Sequence, residues 1–321
     1  MSLQFRHAFR GAVRKRQPSG IAALQALKSV ESRFGSFPRN LEPKIYGRVG
    51  NLEVRLARSR SEVRQAQRLR YQVFYEEMTA VPSRLAQFRR RDEDAYDAIC
   101  DHLLVVDLDE TRRQSRAGRP VAPKVVGTYR VLRQDVAERG LGFYTASEYD
   151  ILPLVAAKSP RYRFMELGRS CVLAPYRGKR SVELLWHGLW TYVREHKIDV
   201  MIGCASFEGT DPAVHAEALS FLHHNALAPP EWRCSARTGL HVPMDRIAKD
   251  KLNPKVALKA IPPLIKGYLR LGAFVGDGAV IDHQFGTTDV LIVLPVEKID
   301  PRYFEHFGAP QETTSRIAID A

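Results

Sequence analysis

The sequence predicts a single mixed α/β domain in which helices cover a sheet. Apolar runs of strand length and amphipathic runs of helix length interleave from about residue 52 onward, which suits a layered α/β structure better than separate all-α or all-β units. Two of the strand-like runs, HLLVVDLD (102–109) and KVVGTYRVLR (124–133), read as the arms of a hairpin. There is no internal repeat, and a chain of 321 residues, 45% hydrophobic and 26% charged, is ample for one such domain.

Residues 1–50 mix basic residues with Phe5, Phe9, Val13 and IAALQAL (21–27), and are expected to form an amphipathic or loosely held arm. The domain proper is expected over 51–308, with a tail over 309–321. It opens on the alternating strand LEVRLA (52–57). A helix follows, with Ser59 and Glu62 spaced as a capping box and Val63, Ala66, Val73 and Phe74 at helical intervals. Arg70 falls on the same apolar stripe. Such an arginine ordinarily snorkels to the helix edge; the alternative is that it points into a site.

Between the hairpin arms, ETRRQSRAGRPVAP (110–123) is too long for a tight turn and reads as a mobile loop. GLGFYTASEYDILPL (140–154) reads as a loop or short helix, and FMELGRSCVL (164–173) as a strand. SVELLWHGLWTYVREH (181–196) has Val182, Leu185, Trp186, Leu189 and Val193 on one helical stripe. DVMIGCASF (199–207) is a strand, and the stretch after it starts a helix with Pro212 near the first turn. The turn-rich FVGDGAVID (274–282) precedes a last strand, DVLIVLPV (289–296).

The net charge of +13 points to an acidic partner, either an anionic membrane surface or an acidic protein. No RNP-type aromatic motif, zinc-finger spacing or GxxG clamp accompanies the charge, so nucleic acid is not expected. No apolar run is long enough to span a membrane, and the N-terminus is too polar for a signal peptide. Cys100, Cys171, Cys204 and Cys234 have no metal-like spacing, which fits a reducing cytoplasm. Asp211, His215, His223 and His224 are read as capping and packing residues, so no metal is expected.

The chemistry is concentrated in residues 164–181. Simple alternation puts Phe164, Glu166, Gly168, Ser170 and Val172 on one face of the strand. Arg169 then lies on the more apolar face with Met165, Leu167 and Cys171, unless Gly168 marks a bulge that shifts the register. Buried charges need partners. The candidates are Arg70, Arg130, Asp94 and Asp97, and their convergence from separate apolar elements favours a functional site over a structural ion-pair network. The following loop, YRGKRS (176–181), leads into a helix start, where free backbone N–H groups attract anions. It offers Arg177, Gly178, Lys179 and Arg180, with side-chain charge where a pyrophosphate loop would have glycines.

The order of strand, helix, hairpin, ELGRSCVL, APYRGKRSVELLWHGLW (174–190) and strand resembles the GCN5-related N-acyltransferase (GNAT) fold. That resemblance implies a mixed, mostly antiparallel central sheet flanked by helices. In the family the loop matching YRGKRS receives pantetheine phosphates through an R/Q-x-x-G-x-G/A pattern. Arg180 and Val182 stand here where glycines would fall, which argues against free coenzyme A as donor. Arg70, Phe74, Asp94, Asp97, Arg130, Glu166 and Arg169 resemble the pattern of the acyl-homoserine-lactone synthases, which use acyl carrier protein. That group's usual tryptophan between Phe74 and Asp94 is missing.

The long strings at 203–232 and 261–295 extend the resemblance over about 52–308 and narrow it. They are similar to the bacterial ornithine acyl-carrier-protein N-acyltransferases, once labelled haemolysin-like, which make lyso-ornithine lipid. The resemblance implies transfer of a 3-hydroxyacyl chain from the carrier's phosphopantetheine thioester to the α-amine of ornithine, with no bound cofactor. A coenzyme A-dependent or lactone-synthase-like enzyme acting on another amino acid is the alternative. Glu166 is the expected base, oriented by Arg169 and Arg130, which tie it to Asp94 and Asp97. The oxyanion would meet a backbone N–H near Cys171 or Val172. Arg177, Gly178, Lys179 and Arg180 would hold the phosphopantetheine or the acidic carrier. Glu148 and Asp150 are candidate counter-charges for the ornithine side chain. A basic chain with an amphiphilic product is expected in the cytoplasm, peripheral on the inner face of the membrane.

Overall fold

The sheet starts earlier than the first alternating run suggests. In the computed structural model, which describes residues 44–116, 123–159, 161–300 and 302–303, strand β1 (Ile45–Val49) pairs antiparallel with β2 (Leu52–Leu56). Gly50, at φ 61°, takes the left-handed turn conformation that a two-residue hairpin requires. The expected arm over 1–50 therefore ends in a strand of the domain, while residues 1–43 and the tail over 309–321 lie outside the described residues.

Helix α1 (Arg60–Tyr71) begins where Ser59 accepts the N–H of Glu62. The reciprocal half of the expected capping box is diverted. The Glu62 carboxylate accepts instead from Arg55 and from the N–H of Arg58. The helix continues through a wider π turn over Gln72–Glu77, and Val63, Ala66, Leu69 and Val73 are buried along its inner face. A short helix α2 (Arg84–Arg89) lies within the arginine-rich SRLAQFRRR (83–91).

Strands β3 (Asp101–Asp107) and β4 (Lys124–Arg133) pair antiparallel as expected. Their connection is not simply a loop, because α3 (Leu108–Arg116) fills its first half; Asp107 accepts from the N–H groups of Asp109 and Glu110 and starts it. Then come α4 (Gln134–Arg139), a 3₁₀ turn over Tyr144–Ser147, α5 (Leu152–Lys158) and β5 (Phe164–Val172). Helix α6 (Lys179–Glu195) starts two residues before its apolar pattern and leaves Val182 exposed, while Leu185, Leu189 and Val193 are buried.

Strand β6 (Val200–Glu208) is followed by turns at 212–215, so α7 (Ala216–Ala226) starts four residues beyond Pro212. Helices α8 (Pro254–Ala260) and α9 (Pro263–Arg270) lead to β7 (Phe274–Asp282) and β8 (Thr287–Pro295). The run 274–282 is thus a strand. Its glycines fall at a register shift between Val275 and Ala279, which explains its turn-like composition.

The eight strands stand in the order β1-β2-β3-β4-β5-β6-β8-β7. Every pairing is antiparallel except β5 with β6. Strand β8 is buried along its whole length, as its unbroken apolar run requires. Among the described residues no helix is long and apolar enough to cross a membrane.

Candidate active site

The parallel pair at the centre of the sheet is short. β5 and β6 are paired only from Phe164–Val200 to Glu166–Ile202. At that point Gly203 presses on the neighbouring strand: a Cβ there would lie 2.3 Å from the Leu167 carbonyl oxygen. Beyond it the strands part. Glu166 through Val172 of β5 and Cys204, Ala205 and Ser206 of β6 line a cavity of about 410 Å³ in the gap.

A bulge aims the charged strand at this cavity. On the β4 side, Gly168 faces Arg130 and Cys171 faces Thr128, so Arg169 and Ser170 together oppose one residue. The extra residue is accommodated by Arg169 itself, at φ 53°, rather than by Gly168. Alternation therefore fails for Arg169: its side chain joins the polar cluster and lines the cavity, in contact with Tyr144 and Phe285, whose ring centroids lie 5.1 and 4.4 Å from the guanidinium.

Three arginines and three aspartates form a closed ring of ion pairs. Arg70 reaches Asp92 and Asp97 at 2.8 Å each; Arg130 reaches Asp97 at 3.2 Å and Asp94 at 2.7 Å; Arg169 reaches Asp94 at 3.4 Å and Asp92 at 3.2 Å. Arg70 is fully buried, so it does not snorkel. Asp94 and Asp97 also cap each other's turn, a true capping box over Ala95–Ala98. Burial would raise the Asp97 pKa, but Arg70 and Arg130 overwhelm it and hold the carboxyl far below its usual range.

Glu166 stands outside that ring. Its carboxylate accepts the backbone N–H of Tyr144 at 2.8 Å and of Thr145 at 2.5 Å. The expectation that Arg130 and Arg169 hold Glu166 and tie it to Asp94 and Asp97 is therefore corrected. The arginines are spent on aspartates, and a 3₁₀ turn supplies the donors for Glu166. Burial pushes the Glu166 pKa up, and the hydrogen bonds from Thr145 and Tyr144 pull it partly back. A buried carboxylate with a raised pKa on a cavity wall can accept a proton from a bound group.

The other sequence-predicted residues divide. Phe74, Arg130, Glu148, Cys171, Val172 and Arg177 line the cavity, and Phe74 meets Phe285 edge-on at 5.7 Å. Asp150 does not line it; it is exposed, with its N–H on Ser235. Arg177 pairs with Glu77 and donates to the Val172 carbonyl. Gly178 is the residue before α6 and gives it no side-chain cap, with Lys179 and Arg180 exposed beside it. Burial raises the Cys171 thiol, so it is not a nucleophile in waiting.

Residues 69–187 match the acetyltransferase (GNAT) domain family. The chain is 51% identical to the L-ornithine N(alpha)-acyltransferase of Brucella abortus, over 91% of this chain and 98% of that one. It is 57% identical to the enzyme of that name from Rhizobium meliloti, over 83% and 87% of the two chains. The Rhodobacter capsulatus counterpart is 40% identical over 79% and 94%. The chain belongs to the L-ornithine N(alpha)-acyltransferase family. It is an acyltransferase with a GNAT-type open, mixed and mostly antiparallel sheet.

Several residues of this acyltransferase's cavity and of the ion-pair ring beside it escaped the sequence reading. Asp92 closes the arginine ring, yet it was one of several acids in RDEDAYDAICD (91–101). Tyr144 and Thr145 act through main-chain N–H groups, which leave no side-chain signature. Asp282, Phe285 and Asp289 come from the far end of the sheet and line the same cavity. Asp289 carried a signal: a carboxylate at the head of the apolar run 289–296.

Proposed function

We propose that this acyltransferase moves a 3-hydroxyacyl chain from the phosphopantetheine thioester of acyl carrier protein to the α-amine of ornithine, giving lyso-ornithine lipid. The observation that carries the reading is the Glu166 carboxylate, fixed by two backbone N–H groups where β5 and β6 part. The α-ammonium loses a proton to Glu166, directly or through a water, and the free amine attacks the thioester carbonyl. The C–N bond forms, the C–S bond breaks, and the thiolate leaves on phosphopantetheine and takes up a proton. The edge of β5 beyond Glu166 has no β6 partner; Leu173 turns its N–H to Val126 of β4, so by alternation the Val172 N–H faces the open side and is the candidate oxyanion donor, while Cys171 faces β4.

The donor is read from the start of α6. Arg177, Lys179 and Arg180 surround an uncapped helix start, which suits one phosphodiester on an acidic carrier. The reading extends to peripheral contact with an anionic membrane face. Phe88 on α2 is 87% exposed and Val81 64% exposed. The exposed Arg84 and Arg90 flank them, and the nearby Met78 and Ala80 line the cavity. Purified protein given 3-hydroxyacyl carrier protein, the matching acyl-coenzyme A, and a panel of amino acids, read by mass spectrometry, tests the function. Amide from ornithine and the carrier thioester supports it. Amide only from coenzyme A, or a lactone only with S-adenosylmethionine, overturns it. Sedimentation of the full chain with anionic vesicles, lost in Phe88→Asp, tests the membrane contact.

A further inference from the structure

Three carboxylates from distant parts of the chain meet on the cavity wall. Glu148 follows the 3₁₀ turn, Asp282 ends β7 and Asp289 lies on β8; their oxygens lie within 4.8 Å of one another. All three line the cavity. Asp289 is only 6% exposed; the Ser206 and Thr287 hydroxyls lie near enough to lower its pKa, but no hydrogen bond of good geometry reaches its Oδ1. A buried acceptor so poorly satisfied is costly unless something arrives to use it. One Asp282 oxygen accepts the N–H groups of Gln284 and Phe285, and Glu148 accepts the Cys204 thiol at 3.0 Å. Arg169 is the cation that acts on Glu148 and Asp289, but its guanidinium is engaged by Asp92 and Asp94.

The place of the cluster relative to Glu166 indicates what it takes. One turn serves both: Thr145 donates to Glu166, and Glu148 follows three residues later. Both carboxylates line the one cavity, so an acceptor whose α-amine is presented to Glu166 can extend its side chain towards Glu148. We infer that Glu148, Asp282 and Asp289 form the subsite for the side-chain ammonium of the acceptor amino acid. This rests on the acyl-transfer reading, deepens it, and adds a source of selectivity: the site favours acceptors that carry a second positive charge. Burial together with the neighbouring Asp289 raises Glu148 to about 7, and burial with Asp282 contributes to raising Asp289 to about 6. A cation among them relieves the repulsion that raises both.

The test is calorimetric binding of ornithine and of norvaline, its analogue without the second amine, to the full chain. It uses wild type, Asp289→Asn and Glu148→Gln, and amide formation from 3-hydroxyacyl carrier protein is measured in parallel. Ornithine should bind wild type at least tenfold more tightly than norvaline, and the preference should fall at least tenfold in either variant. The two variants guard against one of them misfolding, which circular dichroism checks. A wild type that binds both equally, or not at all, overturns the subsite; so does a preference that survives in folded variants. A preference that needs added magnesium or calcium and vanishes with chelator overturns it in favour of a metal site. Selective ornithine binding without amide from any thioester upholds the subsite while sinking the acyl-transfer reading.

Discussion

Arg169 donates its Nε–H to Asp92 at 3.2 Å, and that contact helps close the six-membered ring of charges behind the cavity. Each arginine bridges two aspartates and each aspartate two arginines, so no single charge is left unpaired. The ring fixes α1, the 92–98 segment, β4 and β5 relative to one another. It thereby holds the wall on which Arg169 and Glu166 are displayed.

Breaking the ring exposes its cost. Asp97→Asn leaves the fully buried Arg70 with one anionic partner fewer, and loss of a buried partner costs about 3–5 kcal/mol. Because the Asp97 pKa is depressed in the fold, its contribution is present above the unfolded carboxyl pKa and is lost as pH falls through the lower folded value. Urea unfolding at pH 7 and at decreasing pH should show wild type losing its advantage over Asp97→Asn only in acid.

The split between β5 and β6 depends on Gly203. Gly203→Ala forces a methyl onto the Leu167 carbonyl, and such overpacking costs about 1–3 kcal/mol. Thermal unfolding should report the loss, and activity should fall with it because Leu167 adjoins Glu166.

Glu148 and Asp289 act in the opposite sense to Asp97. Their raised pKa values mean that the free protein gains stability when they are protonated and loses it as pH rises through about 7 and about 6. For Glu148, a shift from 4.5 to about 7 corresponds to about 3 kcal/mol. Glu148→Gln should therefore unfold at a higher temperature than wild type at pH 8, with the difference disappearing towards pH 4. Calorimetric melting without ligand reads this directly.

The pH dependence of catalysis follows from Glu166. The base must be ionised, and its pKa lies above the ordinary carboxyl range. Single-turnover amide formation should rise with pH through an ionisation that disappears in Glu166→Gln, while carrier-protein binding is retained.

The charged residues of this site were legible before the fold was. Arg70, Arg130, Glu166 and Arg169 each break an apolar pattern, and a charge in such a place demands a partner. Their pairing was not legible, because Arg169 sits at a bulge with positive φ and leaves the face that alternation assigns it. Main-chain donors such as Thr145 were also invisible, since any residue could supply that N–H. β7 was misread because the glycines that open its register shift look like turn residues. Helix α3 was missed because its acidic start and basic end read as a polar loop.

The measurement closest to the central claim is quench-flow formation of N-acylornithine from 3-hydroxyacyl carrier protein, comparing wild type with folded Glu166→Gln. Loss of a positioned base predicts a rate roughly 10²–10⁴-fold lower in the variant, with the carrier thioester still bound. Amide appearing at the wild-type rate in Glu166→Gln would contradict the account.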